Sequence, residues 1–260
     1  MKKALSIFLL LNLFITLSVP SSAKSNETQL PIEENVIFLG DSTTNAMRHY
    51  EVLTAGKNTA SVWSGVDGTL SMWDVSRKEI GITQAMYDTY TKRKIFTNLK
   101  NIFKQASIPG NPSIIYSVKI GDLCEYVRPI AIVITLGVNG CTCMSDDDFK
   151  YEYTSLVEVI KEASPDTRIF LNSIYPVSRH SKKISNQAID NANRLIAQVA
   201  NDCNVEYIDT NSKLKGADGF APDHLIDQGD GIHWNRAGYK RIIELIRAEI
   251  NSIGECRDYD

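Results

Sequence analysis

The sequence has few cysteines, no run of basic residues and no long apolar run beyond Val19, and each absence argues against a class of protein. Its five cysteines include no second close pair of Cys or His residues, which a structural zinc site would require. We expect them to be structural or unpaired. A formal net charge of −3 without basic runs argues against a nucleic-acid partner. No later apolar run is long enough to span a bilayer.

The N-terminal residues have the three-part pattern of a secretory signal peptide. Two lysines after Met1 precede an uncharged stretch over 4–19 that is rich in Leu, Ile and Phe. Small residues follow at Ser21 and Ala23, so we expect cleavage after Ala23 and removal of residues 1–23. The protein is then secreted or associated with the cell envelope, without a stable membrane anchor. An uncleaved membrane anchor is the alternative.

The remaining chain is expected to form a single domain behind a short leader. Residues 24–34 are polar and contain a proline, which is typical of a flexible leader. Residues 35–260 suit one α/β domain in length. Glycines and prolines interrupt the region 64–126, where we expect an irregular insertion with one or two helices over the site. Thr91–Gln105 is one of the polar pieces of that insertion that look helical.

Outside the insertion, short apolar runs alternate with helical patterns, which predicts a parallel sheet with helices on both faces. The run at 129–136 is apolar throughout, as in a central strand buried on both faces. About five strands are expected, on a pattern that resembles the flavodoxin-like order 2-1-3-4-5. The predicted strands are 36–39, 59–63, 129–136, 168–174 and 205–208, and the predicted helices are 43–54, 146–163, 186–201 and 236–253.

Ser42 is the first candidate functional residue. It follows the first predicted strand and begins the next helix, so it is expected at the carboxyl edge of the sheet, where open α/β folds bind ligands. Its backbone N–H lies at a helix N-terminus and is free to donate to an anion. The alternative is that Asp41 or Ser42 only caps the helix.

Three further polar residues follow later strand ends. Asn139 comes after the central strand, and Asp230 and His233 close the loop before the last helix. Acyl transfer needs a nucleophile, a base, a group that orients the base, and donors for an oxyanion. Ser42, His233, Asp230 and the Asn139 amide can take these roles in that order. Alternatively, Asn139 and Asp230 are turn formers, and Asp223–His224 is a second acid–histidine pair.

At this point the sequence resembles the SGNH hydrolases, also called the GDSL esterase/lipase family, and in particular their secreted bacterial members. Gly40-Asp41-Ser42 matches the first block of that family and Asp230-x-x-His233 matches its last block. The third block is Gly137-Val138-Asn139-Gly140, where glycine replaces the aspartate of the family. The second block is a lone glycine, for which we choose Gly68 with Gly65 as the alternative. The resemblance extends over about residues 35–253.

The resemblance implies an α/β/α sandwich and a Ser-Asp-His triad that needs no metal or cofactor. It makes Ser42 the nucleophile, His233 the base and Asp230 its orienting partner. The oxyanion hole consists of the Ser42 N–H, the Gly68 N–H and the side chain of Asn139. Because the family aspartate is absent at Gly140, the loop that holds Asn139 is expected to be looser and activity to be low.

These observations favour an exported serine ester hydrolase that removes acetyl or other short acyl groups from a carbohydrate or a small ester. One alternative is an acyltransferase acting on an envelope polysaccharide. Another is a glycan-binding module of the same fold with weak or lost turnover. Trp63, Trp73 and Trp234 lie near the glycine block and the histidine, where they form either a platform for sugar rings or part of the core.

Overall fold

The structure, a computed structural model, describes residues 36–92, 102–106, 113–227 and 229–257, so the predicted signal peptide and leader lie outside the described residues. Within the described ranges, no helix combines the length and the apolar composition that a membrane crossing requires. In chain order, the strands are β1 (Val36–Gly40), β2 (Val62–Trp63), β3 (Glu79–Thr83), β4 (Lys104–Gln105), β5 (Ile114–Lys119), β6 (Ala131–Thr135), β7 (Arg168–Asn172) and β8 (Glu206–Ile208). The α-helices are α1 (Ser42–His49), α2 (Gln84–Lys92), α3 (Ile120–Val127), α4 (Asp146–Ala163), α5 (Asn186–Asp202), α6 (Thr210–Leu214) and α7 (Arg236–Arg257).

The main sheet has five parallel strands in the order β2-β1-β6-β7-β8, which confirms the predicted order 2-1-3-4-5. Successive side chains of a strand point to opposite faces, and both faces of this sheet are covered by helices. Leu39 and Ile132 lie in the core shared with α4 and α5. Phe38 and Val133 lie in the core shared with α1 and α7. The result is the predicted three-layer α/β/α sandwich.

The first helix is shorter than the sequence predicts. The expected helix over 43–54 ends at His49, and the chain then takes a left-handed turn at Glu51, where φ is 53°. The other predicted strands and helices of the sandwich lie within a few residues of their expected bounds. The loop before the last helix also contains α6 and a short 3₁₀ turn at Asp223–Leu225.

The insertion contains a second sheet, which the sequence did not predict. In the described part of 64–126, three antiparallel strands lie in the order β3-β5-β4, with α2 and α3 beside them. This part is therefore more regular than expected, while its two α-helices agree with the expected one or two. The proposed helix Thr91–Gln105 is not found as such, because Lys104–Gln105 forms β4. Residues 93–101 lie outside the described residues.

One buried carboxylate connects the insertion to the sandwich. Glu152 of α4 is 8% exposed and accepts hydrogen bonds from the backbone N–H groups of Asp74, at 2.9 Å, and Val75, at 3.1 Å. Asp74 has a left-handed backbone, with φ at 54°. The carboxylate therefore fixes a strained turn directly before the second sheet.

Glu152→Ala should lower the free energy of unfolding by about 2–3 kcal/mol, because it leaves two backbone donors without their charged acceptor. Urea denaturation followed by circular dichroism measures this change. Glu244→Ala, on the exposed face of α7, is the matched control and should change the same free energy by less than about 0.5 kcal/mol. Equal losses in the two variants would show that the contact contributes nothing.

Candidate active site

Ser42 lies where β1 passes into α1, as the first residue of the helix. The turn requires a glycine at position 40, because a Cβ there would lie 2.1 Å from the Thr44 Oγ1 atom and 2.2 Å from the Thr135 carbonyl oxygen. Asp41 caps the helix by accepting hydrogen bonds from the Thr43 N–H, at 3.0 Å, and the Thr43 hydroxyl, at 2.8 Å. Asp41 is thus the cap, and Ser42 is left half-buried with its hydroxyl available.

Asp41 also connects Ser42 to the turn that carries Asn139. Its buried carboxylate accepts a hydrogen bond from the backbone N–H of Val138, next to Asn139. Burial raises the pKa of Asp41, and its hydrogen bonds with Thr43 and Val138 act in the opposite direction. The carboxyl ends of β1 and β6 are therefore held together at one edge of the sheet.

The serine, histidine and aspartate predicted from the sequence form a hydrogen-bonded chain. The His233 Nε2 atom lies 2.9 Å from the Ser42 Oγ atom, and the His233 Nδ1 atom lies 2.6 Å from the Asp230 Oδ2 atom. With the proton on Nδ1, the ring donates to Asp230 and its Nε2 lone pair can accept the serine proton. This arrangement can convert a neutral hydroxyl into a nucleophile.

Asp230 is held as a carboxylate by its own loop. Its Oδ1 atom accepts hydrogen bonds from the backbone N–H groups of Ile232, at 2.7 Å, and His233, at 3.0 Å. Partial burial raises the pKa of Asp230, but these donors and the His233 ring outweigh it, so that the pKa is lowered overall. Asp230 is therefore ionised at neutral pH and can stabilise an imidazolium at His233.

A contact that the sequence analysis missed fixes this loop against α1. The Tyr50 hydroxyl donates to the Asp227 Oδ2 atom at 2.7 Å, and the Asp227 N–H donates to the His233 carbonyl oxygen at 2.8 Å. The hydrogen bond to Asp227 is the main reason that the pKa of Tyr50 is raised to about 12. Asp227 had no assigned role, because its partner is distant in sequence and belongs to no motif.

The model for the GDSL-like lipase/acylhydrolase family matches residues 38–241, which include Ser42, Asn139, Asp230 and His233. The chain belongs to this family. Comparison with curated proteins gives no match.

Solved structures with a similar fold include a candidate acylhydrolase from Bacteroides fragilis, with 16% identity over 87% of this chain and 92% of that one and a TM-score of 0.50. A family two carbohydrate esterase from Clostridium thermocellum in complex with cellohexaose has 20% identity over 84% of this chain and 64% of that one, with a TM-score of 0.49. At such identities the similarity concerns the fold alone.

Of the two glycines considered as oxyanion donors, Gly65 has a more suitable position than Gly68, which we chose from sequence. The Gly68 N–H already donates to the Gly65 carbonyl oxygen at 2.9 Å, within a turn where Gly68 has φ at 85°. An N–H used in a turn cannot serve as a free oxyanion donor. Gly65 lies two residues beyond β2, and a Cβ there would lie 1.8 Å from the Thr69 carbonyl oxygen, so this position also requires glycine.

Asn139 is exposed beyond the end of β6, and its side chain has no hydrogen-bond partner among the residues that the structure describes. Gly140, which replaces the family aspartate, is buried against Met72 and Met144. The turn is nevertheless held by backbone hydrogen bonds from Gly140 to Gly137, at 2.9 Å, and from Met144 to Gly140, at 3.0 Å. The expected loosening of this loop and the low activity stay predictions.

Asn139→Ala should lower kcat by about 10²-fold and change KM little, because an oxyanion donor acts mainly on the transition state. The measurement is steady-state hydrolysis of a nitrophenyl acetate. Asn201→Ala, on exposed α5, is the matched control and should retain full activity. If both variants are equally active, Asn139 is not an oxyanion donor.

Other sequence candidates have different surroundings. Trp63 and Trp234 are fully buried in the core, so only Trp73, 48% exposed, is available to a ligand. The Asp223 carboxylate lies 3.8 Å from the Arg179 Nε atom and 3.7 Å from the His180 Nε2 atom, so both of these partners belong to another loop. Among the described residues, four cysteines are free thiols and no group of acidic, His or Cys side chains is arranged to hold a metal ion.

Two adjoining cavities open beside the nucleophile. The first, of about 400 Å³, is lined by Ser42, Tyr50 and His233, among others. The second, of about 450 Å³, shares Asn45 and His49 with the first. His49, the last residue of α1, therefore lines both cavities.

Proposed function

We propose that this protein is a serine ester hydrolase in which Ser42 is the nucleophile, His233 the general base and Asp230 the group that orients the base. The observation that carries this proposal is the unbroken hydrogen-bonded chain from the Ser42 Oγ atom through the imidazole to the Asp230 carboxylate. Membership of the GDSL-like lipase/acylhydrolase family supports ester hydrolysis as the reaction type.

The reaction follows from this geometry in two steps. As the Ser42 Oγ atom attacks the ester carbonyl carbon, its proton passes to the His233 Nε2 atom, and the imidazolium is stabilised by Asp230. The tetrahedral intermediate then expels the alcohol, which takes the proton from Nε2, and an acyl group remains on Ser42. In the second step His233 takes a proton from water as the water oxygen adds to the acyl carbon. The second tetrahedral intermediate then breaks its bond to the Ser42 Oγ atom, which takes the proton back from Nε2, and the carboxylic acid is released.

The negative charge of each intermediate requires fixed donors. We assign these to the Ser42 N–H at the start of α1, the Asn139 side-chain amide and the Gly65 N–H. Donors of this kind are fixed before the reaction and need no reorganisation as the charge develops, which makes them effective.

The substrate is an acetyl or other short acyl ester of a carbohydrate or a small alcohol. Polar side chains around Ser42 support this class, because Asn45, His49 and Asp227 line the same cavity and can hydrogen-bond to hydroxyl groups. A screen of acylated glycans against short-chain and long-chain lipid esters tests it. Faster turnover of long-chain lipid esters would contradict it. Acyl transfer to an added sugar, in preference to water, would identify an acyltransferase.

A fluorophosphonate probe tests the nucleophile directly, because it phosphonylates only an activated serine. We expect mass spectrometry to find the adduct on the peptide that contains Ser42 and none in the Ser42→Ala protein. Ser252→Ala, an exposed serine on α7, should be labelled as completely as the wild type. A folded protein that is not labelled at any pH would instead be a glycan-binding module without turnover.

Export is a separate part of this proposal, and the pattern in residues 1–23 supports it. We expect the protein recovered from outside the cell to begin at Lys24. Mass spectrometry of the intact protein measures its N-terminus. Recovery only in the cell interior with Met1 retained would contradict export.

A further inference from the structure

The second cavity has the size and position of a substrate subsite. Its volume of about 450 Å³ is typical of small-molecule pockets. One wall comes from α1, and another comes from Thr83, Gln84 and Ile114 of the insertion. Because the first cavity shares Asn45 and His49 with it, a ligand attached to Ser42 can extend directly into this space.

Arg48, which lines this cavity, is a largely buried cation without a carboxylate partner among the described residues. Its guanidinium donates to the Val62 carbonyl oxygen and to the Asn45 Oδ1 atom at 3.4 Å, both neutral acceptors, and its buried Nε atom has no partner in the same part of the chain. Burial lowers the pKa of Arg48 to about 10, so the group stays protonated at neutral pH. A buried charge without a counter-charge is unfavourable.

The rest of the cavity adds positive charge and no negative charge. Lys57 lines it, and among the described lining residues none is an aspartate or glutamate. Lys57 pairs with Glu51 at 3.4 Å, but both side chains are exposed to solvent, and such pairs contribute little. The described lining of the cavity therefore favours an anion.

We propose that this cavity is a subsite for an anionic oxygen group, a carboxylate or a phosphate, on the alcohol part of the ester substrate. Arg48 and Lys57 supply the charge, and an arginine fork matches both groups geometrically. Asn45 lies between the two cavities, with its Oδ1 atom accepting from the Ser64 hydroxyl at 3.1 Å and from Arg48. Its amide N–H groups face away from those donors and can bind the sugar between ester and anion. This inference rests on the proposed ester hydrolysis at Ser42.

The first test compares three acetylated methyl glycosides of glucose that differ only in the group that contains C6. This group is a hydroxymethyl group, a carboxylate or a phosphorylated hydroxymethyl group. We expect kcat/KM to be about tenfold or more higher for an anionic ester than for the neutral one. The preference should decrease with added sodium chloride, because salt screens the exposed charge of Lys57. The faster of the two anionic esters shows whether the subsite prefers a carboxylate or a phosphate. Equal rates for all three esters would overturn the proposal.

Variants assign this preference to the cavity. Lys57→Gln should reduce the ratio of anionic to neutral kcat/KM two- to fivefold, as expected for an exposed charge. Arg48→Gln should reduce it by about tenfold. Lys240→Gln, which removes one charge from the exposed face of α7, is the matched control and should leave the ratio unchanged. If the ratio of anionic to neutral kcat/KM is the same in Lys57→Gln as in Lys240→Gln, the assignment is wrong. This comparison remains valid even if Arg48→Gln does not fold.

A binding measurement separates failure of this proposal from failure of the proposed hydrolysis. Isothermal titration of the Ser42→Ala protein uses methyl glucoside, methyl glucuronoside and methyl glucoside 6-phosphate, none of which carries an ester of a carboxylic acid. Tighter binding of an anionic glycoside than of methyl glucoside supports the subsite. If such binding is found and no acetyl ester is hydrolysed, only the proposed hydrolysis is wrong. Equal or absent binding of the anionic glycosides overturns the subsite, whether or not neutral esters are turned over.

Discussion

Ser42→Ala should lower kcat for a short-chain nitrophenyl ester by about 10⁶-fold, which is the loss typical when a triad member that acts as nucleophile is removed. The reason lies in the geometry of the site. The Ser42 hydroxyl, 2.9 Å from the His233 Nε2 atom, is the group whose proton the imidazole is placed to accept. Without the hydroxyl no acyl-enzyme forms, and only transition-state binding by the oxyanion donors remains. Steady-state and burst-phase kinetics measure both effects.

The control for this prediction is Ser252→Ala, which should show wild-type kcat and the same burst amplitude. Circular dichroism should show both variants folded, because the Ser42 side chain caps nothing and Asp41 provides the helix cap. Turnover by a folded Ser42→Ala protein at the wild-type rate would mean that another residue is the nucleophile.

Asp230→Asn should lower kcat by about 10⁴-fold, the loss expected when the orienting carboxylate of a triad is neutralised. An asparagine amide facing the His233 Nδ1 atom donates a proton instead of accepting one, so the ring proton moves to Nε2. The imidazole then has no lone pair towards Ser42. The backbone hydrogen bonds from Ile232 and His233 can still reach the asparagine oxygen, so the loop should keep its shape. Asp166→Asn, on an exposed turn, should be fully active.

The same variant should change how stability depends on pH. Because the pKa of Asp230 is lowered from its ordinary value of 3.8, its ionised form stabilises the folded state above that value, and this stabilisation is lost as the pH falls through the lowered pKa. The wild type should therefore lose unfolding free energy below about pH 4, while Asp230→Asn loses less over the same interval. Parallel acid titrations of the two proteins, followed by fluorescence, would contradict this if their curves coincide.

The main sheet and the contact of Ser42, His233 and Asp230 could be predicted from sequence because their signals are local and coincide. The buried strand β6 is almost entirely apolar because helices cover both faces of the sheet. β1 ends in a Gly-Asp-Ser turn that requires glycine at position 40. Parallel strands place their carboxyl ends at one edge. Residues at the strand ends were therefore expected to meet, and Ser42 meets the Asp230 and His233 side chains of the last loop.

The rest depends on contacts that no local pattern reveals. In the second sheet, β4 is exposed and polar, so it has no apolar run that would predict a strand. β3 is largely buried but pairs with β5 across more than thirty residues, and no local pattern predicts that pairing. The choice between Gly65 and Gly68 depends on the hydrogen bond from the Gly68 N–H to the Gly65 carbonyl oxygen, and the sequence does not show this bond. The Tyr50–Asp227 contact and the cavity charge of Arg48 likewise arise only when distant segments pack together.

Ser42 and His233 are separated by 191 positions, and their hydrogen bond needs the loop before the last helix in place. A chain that is still being synthesised therefore carries Ser42 before it carries His233. Under the proposed mechanism such a chain should have no esterase activity, so that activity reports synthesis and folding as far as this loop.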